Sequence, residues 1–347
     1  MSYSTHINEL SLSRSLLMKE SSEAERNARM TRAQLDYIYR NELFHLLVPK
    51  KFGGEEMDLP SFAKLMESYA EVDGALAWVI NLGAGANMFA GFMDEEAART
   101  IFSNKKTCVA GSGAATGTAE SEADGFLISG KWKYASGSAH ANWFSLNAKI
   151  DGDGNYQSFL VPREDVEVLD TWHVYGMKAT SSCDFKVEKV WIPAKYKFDL
   201  QNVSNKIDTP LYRFPFNVLA EINMVVMVTG LAIGFTKRVL EYANVRSIEV
   251  SEYDRLNRLF MESRSKMFAF LEELWTRTVE RLPLEENLNK RFSMAVNQTA
   301  QLSRELVDHL YAYTGMSTVF EANEISRVYR DFKVASQHGL LFPRHNV

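Results

Sequence analysis

Cysteine is nearly absent from this sequence, since its 347 residues include two, Cys108 and Cys183. Two thiols are too few for a disulfide framework or a thiolate metal site, so we expect no metal and a reducing, cytoplasmic environment. Positive charge is not in excess either, because the formal net charge is -5. This balance argues against nucleic acid or an anionic membrane surface as a partner.

Long apolar runs and nucleotide-binding glycine patterns are also missing. By inspection, no apolar run approaches the roughly 18 residues of a membrane-spanning helix. The N-terminal residues lack the apolar segment of a secretory signal. No predicted strand is followed by the fingerprint of a dinucleotide-binding Rossmann unit. We therefore expect a soluble protein, and its 46% hydrophobic content is enough for a substantial core.

Hydrophobic periodicity divides the chain into three parts. From about Ser11 to Phe102, apolar residues recur at three- and four-residue spacing, which is typical of helices. From Thr107, short β-rich segments alternate with turn residues. After Asn202 the pattern is helical again, with four long segments joined by short links. We predict an α+β protein with three domains: an N-terminal helical domain (1–106), a small antiparallel sheet or barrel (107–202) and a C-terminal four-helix bundle (203–347).

The segment 107–149 is rich in Gly, Ser, Thr and Ala and also alternates like a strand. Tyr134 and Ser136 lie two residues apart, so on a regular strand their side chains point to the same face. Such a strand can present an aromatic ring and a hydroxyl to a flat ligand. An ordinary hairpin explains the same pattern, and the segment alone does not separate the two interpretations.

Four segments, in this order and spacing, resemble the acyl-CoA dehydrogenase superfamily of flavoproteins. They are LVPKKFGG with the helix after it, GKWKYASGSAHANWFSLNAK, WHVYGMKATSSCDFKVEKVWIP and RVYRDFKVASQH. The resemblance implies an acyl-CoA dehydrogenase-like fold with a flavin between the sheet domain and the bundle. An isoalloxazine is flat and mostly apolar with one polar edge, so it needs a surface to stack on and hydrogen-bonding groups at that edge.

The resemblance also implies cofactor-binding residues. Tyr134 takes the position of an aromatic packed near the isoalloxazine, and Ser136 that of a hydroxyl bonded to it. Core packing is an equally good interpretation of Trp172. The remaining candidates are three residues expected in a loop and three from the far end of the sheet: Gly111, Ser112, Gly113, Trp172, Thr180 and Ser182.

The sequence departs from the dehydrogenases where their chemistry needs a carboxylate base. Gly339 stands where most of that family carries a glutamate. Some members place the base on the first long bundle helix, but Glu221 lies about one turn early, and a helix N-terminal carboxylate is the better interpretation. The usual TEPGAGSD loop reads GSGAATGT here, and RSIEVSEY, from Arg246, replaces the RxxFG element of FAD binding.

ASGSAHANW and RDFKVASQHG are instead similar to two-component flavin monooxygenases built on this fold. The resemblance implies reduced flavin, FAD or FMN, supplied by a separate reductase, and a C4a-hydroperoxide formed with oxygen. Ser136 would bond near N5, and His338 would stabilise the peroxide or shuttle a proton, although a surface or capping role also fits a histidine there. We expect His140 to be a solvent-exposed turn residue, and Arg330 and Asp331 to form a structural ion pair.

Three hypotheses follow. The favoured one is a reduced-flavin-dependent monooxygenase acting on a small organic substrate. An acyl-CoA dehydrogenase with a relocated base, such as Glu221, is the alternative. A non-catalytic flavin-binding or scaffold protein is the third. The resemblance further implies a homotetramer (a dimer of dimers) or a homodimer, and we expect the pocket walls around Asn87, Met88 and Met227.

Overall fold

The computed structural model describes residues 2–152, 155–200 and 207–342. Helices come before and after a single block of strands, in agreement with the predicted α+β class. The first helix begins at Tyr3 rather than near Ser11, because the Ser2 side chain accepts a hydrogen bond from the Thr5 N–H and caps it. Five α-helices precede the strands in these ranges: α1 (Tyr3–Asn27), α2 (Arg32–Arg40), α3 (Leu59–Val72), α4 (Gly74–Asn87) and α5 (Glu95–Phe102).

The strands form one sheet in the order β5-β6-β2-β1-β3-β4-β7. The prediction of an antiparallel sheet is wrong for one pair, since β1 and β3 run parallel, with Val109 opposite Trp143. Because β2 pairs antiparallel to one edge of β1 and the chain then returns to the other edge, β3 runs in the same direction as β1. The strands are β1 (Val109–Glu122), β2 (Gly125–Ala135), β3 (Trp143–Ile150), β4 (Tyr156–Pro162), β5 (Glu167–Leu169), β6 (Cys183–Pro193) and β7 (Lys197–Phe198).

Trp132 is the centre of the core that the sheet encloses. Its side chain is fully buried and stacks on Phe185 with ring centroids 5.3 Å apart. The indole N–H donates to the carbonyl oxygen of Asn147 at 2.9 Å, so the buried polar atom is satisfied. The neighbouring Lys131 and Lys133 are exposed, as strand alternation predicts.

A long helix, α7, connects the N-terminal helices to the C-terminal ones. It packs against α3 so closely that a Cβ on Gly230 would lie 2.3 Å from the carbonyl oxygen of Glu67. The Glu67 carboxylate accepts hydrogen bonds from Thr229 and Arg264, which joins three helices through one buried group. Within the described residues, the helices after the sheet are α6 (Pro210–Arg213), α7 (Phe216–Val245), α8 (Tyr253–Val279), α9 (Glu286–Tyr311) and α10 (Glu324–Ala335).

In the described part of the chain, two helical stretches are long and apolar enough to cross a membrane, contrary to our expectation from the sequence. They are Gly74–Phe92 and Phe216–Val245. In their most apolar windows, 78% and 89% of the residues are buried inside the protein. Such burial is typical of the core helices of a globular protein, because their apolar surface is already covered.

The order of helices and strands agrees with the predicted arrangement of the chain. The expected boundary between residues 202 and 203 lies outside the described residues, as does the end of the chain after 342. The domain limits 1–106, 107–202 and 203–347 therefore stay predictions.

Candidate active site

Two adjoining cavities lie between α4, the sheet and the chain that follows α10. The first has a volume of about 390 Å³ and the second about 460 Å³. Leu82, Ser136 and His338 line both cavities. The two spaces therefore share a wall, and a molecule in either one lies beside the same hydroxyl and imidazole.

The structure brings the predicted site residues together around these cavities. Gly111, Ser112 and Gly113 line the first cavity. They belong to strand β1 rather than to a loop, so that part of the prediction is wrong. The pairing of β1 with β3 shifts register between Gly111 and Ala115, an irregularity that agrees with the loop-like composition of the segment. The other candidates line the second cavity: Tyr134, Ser136, Trp172, Thr180 and Ser182.

Tyr134 and Ser136 reach the same cavity for a different reason from the one the alternation predicts. Tyr134 has a left-handed backbone with φ of 65°, and β2 ends at Ala135. The pairing of β2 with β6 shifts register between Trp132 and Ala135. The Tyr134 side chain is 67% exposed, and its ring meets the edge of Trp172 with centroids 6.3 Å apart. A local distortion of the strand end, rather than regular pleating, opens both residues to the cavity.

A row of hydrogen bonds joins the polar side chains under the second cavity. Trp78 Nε1 donates to Ser136 Oγ at 3.1 Å. Ser136 Oγ lies 2.7 Å from Ser182 Oγ, which lies 2.7 Å from Thr180 Oγ1. Trp78 is not among the residues predicted from the sequence, although a lone indole N–H in an otherwise apolar helix is a signal, because a buried indole needs an acceptor.

Met177 links this row to helix α10. Its carbonyl oxygen accepts from Thr180 Oγ1 at 2.8 Å and from Trp172 Nε1 at 3.1 Å. Its backbone N–H donates to the carboxylate of Asp331. The segment between Trp172 and Thr180 is thereby fixed to the last helix, and the indole bond shows that Trp172 is held at the cavity rather than packed only in a core.

Asp331 is buried, and the expected Arg330–Asp331 ion pair does not form. Asp331 lies 3.9 Å from Arg327, whereas Arg330 bonds to Glu25 of α1. Successive residues of a helix point about 100° apart, so neighbours in sequence face different partners. Burial raises the pKa of Asp331 to about 7, an effect that Arg327 and the Met177 N–H oppose.

His338 lies beyond the end of α10 and caps the short turn that follows. Its Nδ1 caps the turn by accepting from the Leu340 N–H at 3.4 Å. That bond leaves Nε2 as the protonated nitrogen of the neutral ring. The imidazole reaches both cavities and meets Trp78 with ring centroids 6.1 Å apart. His338 is exposed to solvent, and partial desolvation by the surrounding protein lowers its pKa.

His140 is not the solvent-exposed turn residue that the sequence suggested. Its ring stacks on Phe44 with centroids 5.9 Å apart, and its Nε2 is buried without a hydrogen-bond partner. Burial lowers the pKa of His140 to about 4, so the ring is neutral at physiological pH. His140 lines neither cavity, so its role is packing beneath the turn.

The first cavity is mainly apolar, with a buried polar atom that lacks a hydrogen-bond partner. Asn223 is 5% exposed, and its Oδ1 is buried without a hydrogen-bond partner. Ser145, which is 8% exposed, also lines this cavity. A Cβ on Gly111 would lie 1.9 Å from Ser145 Oγ, so only glycine fits beside this hydroxyl. The apolar walls include Leu82, Phe89, Phe216, Leu219 and Met224.

The expected wall residues Asn87, Met88 and Met227 do not line either cavity. The prediction chose the correct helices, α4 and α7, but the wrong faces of them. Asn87 instead donates to the carbonyl oxygens of Phe44 and Thr107 and ties α4 to the start of the sheet.

Among the described residues that line the two cavities, none is an aspartate or a glutamate. Gly339 borders the second cavity, and a Cβ there would have no atom within 4 Å. Glu221 is buried and accepts a hydrogen bond from Ser293 of α9 at 2.6 Å, which directs it into the helical bundle. The site therefore offers a hydroxyl and an imidazole but no carboxylate base.

This arrangement fits a flavin. The second cavity offers aromatic edges at Tyr134 and Trp172 for a flat ring. Ser136, whose hydroxyl belongs to a preformed polar row, lies at the boundary with the first cavity. A flat apolar ring with one polar edge matches this division into an aromatic side and a hydroxyl side.

Comparison with known proteins supports the same family. The family model described as "Acyl-CoA dehydrogenase, C-terminal domain" matches residues 264–342. A pigment production hydroxylase from a Rhodococcus species is 29% identical over 318 residues, which cover 85% of this chain and 82% of that protein. An indole-3-acetate monooxygenase from Pseudomonas putida is 24% identical over 92% of this chain and 86% of its own.

The fold is likewise shared with solved structures. The structure of XiaF from a Streptomyces species, in complex with FADH2 and glycerol, has a TM-score of 0.88 at 23% identity and covers 98% of this chain and 92% of its own. Two other matching proteins are named as the oxygenase subunit HsaA of a flavin-dependent monooxygenase, from Rhodococcus jostii, and the oxygenase component of p-hydroxyphenylacetate 3-hydroxylase, from Acinetobacter baumannii. The resemblance predicted from the motifs is confirmed: the chain is similar to oxygenase subunits of two-component flavin-dependent monooxygenases and has an acyl-CoA dehydrogenase-like fold.

Proposed function

We propose that this protein is the oxygenase component of a two-component flavin-dependent monooxygenase. It uses reduced flavin and O₂ to insert one oxygen atom into a small organic substrate, and the second atom leaves as water. The names of its relatives, which are hydroxylases and monooxygenases, support an enzyme rather than a scaffold. They do not favour the dehydrogenase alternative.

The observation that carries this proposal is the shared wall of the two cavities. Ser136 and His338 border both spaces, whereas among the described lining residues no carboxylate borders either. Removal of a proton from the α-carbon of an acyl thioester needs a general base at the reacting carbon. Oxygen transfer from flavin needs a dry cavity and controlled protons instead. The residues present suit the second chemistry.

The second cavity would hold the flavin. Tyr134 and Trp172 would pack against its ring, and Ser136 would bond to its polar edge, with Thr180 and Ser182 behind it. When bound and reduced, the flavin supplies two electrons and activates O₂. His338, neutral at pH 7 with a proton on Nε2, would hold or move a proton where the two cavities meet.

The first cavity would hold the substrate. Its walls are mainly apolar, and among them lies Asn223 Oδ1, a buried polar atom without a hydrogen-bond partner. A buried polar group without a partner costs roughly 1–3 kcal/mol, so a substrate that bonds to it is favoured over one that does not. We propose an aromatic substrate with a hydroxyl or N–H substituent, in keeping with the indole-3-acetate monooxygenase relative.

We also propose a separate flavin reductase as partner, because relatives are named as oxygenase subunits or components. Both FAD and FMN fit the proposal. Cys108 and Cys183 are free and buried, which suits a cytoplasmic protein. A homotetramer built as a dimer of dimers, or a homodimer, is the assembly that we propose from the resemblance.

The test is incorporation of labelled oxygen. The protein is supplied anaerobically with photoreduced FMN or FAD and a panel of phenols and indoles, and ¹⁸O₂ is then admitted. We expect a hydroxylated product that carries one ¹⁸O atom by mass spectrometry. The control reaction, with ¹⁶O₂ in H₂¹⁸O, should give unlabelled product. Product that takes its label from water, or bleaching of bound oxidised flavin by acyl-CoA thioesters, would refute the proposal.

A further inference from the structure

Three hydroxyl groups form the row beneath the second cavity, and their proton directions are fixed from one end. Thr180 Oγ1 lies 2.8 Å from the carbonyl oxygen of Met177 and 2.7 Å from Ser182 Oγ. A carbonyl can only accept, so the single proton of Thr180 is donated to Met177. Thr180 must then be the acceptor in its bond with Ser182, and Ser182 donates its proton to Thr180.

The same reasoning determines which hydrogen-bonding positions of the Ser136 hydroxyl remain free for a ligand. Since Ser182 donates to Thr180, its bond of 2.7 Å with Ser136 requires Ser136 to be the donor. Trp78 Nε1, which can only donate, occupies one of the two acceptor positions on Ser136 Oγ at 3.1 Å. The Ser136 hydroxyl therefore has no proton left for a ligand and one acceptor position still free.

This polarity distinguishes the two redox states of a flavin. The N5 atom of oxidised flavin carries a lone pair and accepts hydrogen bonds, whereas N5 of reduced flavin carries a hydrogen and donates. We propose that Thr180 and Ser182 hold the Ser136 hydroxyl as an acceptor, and that this makes the site selective for reduced over oxidised flavin. The inference rests on the proposed function, because it places a flavin in the second cavity.

Thr180 and Ser182 are positioning residues in this scheme, since they act through Ser136. Selectivity is the difference between the affinities for reduced and for oxidised flavin. The affinity for oxidised flavin is lowered, because its N5 acceptor would face the Ser136 acceptor without a hydrogen bond. A purely apolar wall would pack equally well against a flat ring. The orientation of Ser136 therefore gives a reason for three linked hydroxyl groups and a carbonyl at this wall.

The experiment compares the affinities of one protein for the two redox states. Wild type, Thr180→Val and Ser182→Ala are titrated anaerobically with oxidised and with dithionite-reduced FMN and FAD, followed by absorbance and fluorescence. We expect wild type to bind the reduced form more tightly. In both variants the Ser136 hydroxyl can donate its proton to a ligand. The Kd for oxidised flavin divided by the Kd for reduced flavin should therefore fall about tenfold.

Two further variants test whether the effect is specific to the row of hydroxyl groups. Thr180→Ser keeps the hydroxyl and should restore the wild-type ratio. Ser138→Ala removes a neighbouring buried hydroxyl that donates to the Ser181 carbonyl at 2.6 Å but lies outside the row, and its ratio should match wild type. The reduction potential of bound flavin gives an independent reading, because a tenfold change in the ratio for a two-electron couple corresponds to about 30 mV.

The outcomes separate the inference from the proposed function. A lowered ratio in both variants, with the ratio kept in Thr180→Ser and Ser138→Ala, supports the inference. An unchanged ratio in folded Ser182→Ala and Thr180→Val, with labelled product still formed by wild type, overturns the inference and leaves the monooxygenase intact. Failure of wild type to bind flavin in either state overturns both.

Discussion

The carboxylate of Asp331 accepts a hydrogen bond from the backbone N–H of Met177, across 154 positions of the chain. This bond fixes the segment beneath the second cavity to helix α10, and Arg327 is buried beside it. Asp331→Ala would leave a buried guanidinium and a buried N–H without their partner. We expect it to lower the free energy of unfolding by about 3 kcal/mol, measured by urea denaturation.

Asp308→Ala is the matched control for that variant. Asp308 pairs with Lys333 of the same helix α10 at 3.0 Å, but its side chain is 47% exposed. An exposed ion pair contributes less than about 1 kcal/mol. If the two variants lose equal stability, the buried bond to Met177 does not hold the segment in place.

Stability should also depend on pH through Asp331. Its pKa is raised from 3.8 to about 7 in the folded protein, chiefly by burial, while Arg327 opposes the shift and Asp73 and Glu25 add to it. Between these two values the folded state binds more protons than the unfolded state. The contribution of this carboxyl to stability is therefore present at acid pH and is lost as the pH rises toward 7.

Asp331→Asn removes the titration while keeping a side-chain oxygen that can accept from Met177. We expect the unfolding free energy of the variant to change less steeply with pH than that of wild type between about pH 5 and 7. Urea titrations at several pH values compare the two slopes. Parallel slopes would mean that Asp331 stays ionised in the folded protein.

The polar side chains of the first cavity should decide which substrates bind. Asn223→Leu removes the amide while roughly keeping the volume. For an aromatic substrate with a hydroxyl or N–H group, we expect KM to rise about tenfold, the value of one hydrogen bond, with a smaller change in kcat. Initial rates of product formation give both constants. A substrate analogue that lacks the hydroxyl or N–H group is the control. An equal rise in KM for this analogue would indicate a general disturbance of the cavity.

His338 should control the pH dependence of product formation. Desolvation lowers its pKa, so the imidazole is neutral at pH 7 and gains a proton only in more acid solution. We expect wild-type activity to decline as the pH falls through that lowered pKa. His338→Asn, which can still cap the turn at Leu340, should lower the rate roughly 100-fold and abolish this acid limb. If the activity of the variant still declines at acid pH, a group other than His338 causes the decline.

Regular elements of this fold could be predicted from the sequence, whereas the distortions that shape the site could not. The spacing of Phe62, Leu65, Met66 and Tyr69 predicts α3, and all four are buried. The left-handed Tyr134 has no such signature, because that conformation is set by the chain around it. The motifs indicate Ser136, which lines both cavities, but not the left-handed backbone of Tyr134 beside it.

Long-range relations were also beyond sequence reasoning. The burial of His140 depends on Phe44, and the bond between Trp78 and Ser136 joins α4 to the end of β2. No local sequence pattern indicates which distant residue packs against a turn. The parallel pairing of β1 and β3 is similar, since adjacent segments give no sign of which edge the returning strand joins.

The shared wall of Ser136, His338 and Leu82 has a thermodynamic consequence. If occupation of the second cavity shifts these side chains, the affinity of the first cavity changes, and by linkage the first cavity must change the second by the same factor. If reduced flavin raises the affinity for substrate, substrate raises the affinity for reduced flavin by the same factor. The enzyme would commit its electrons chiefly when both occupants are present.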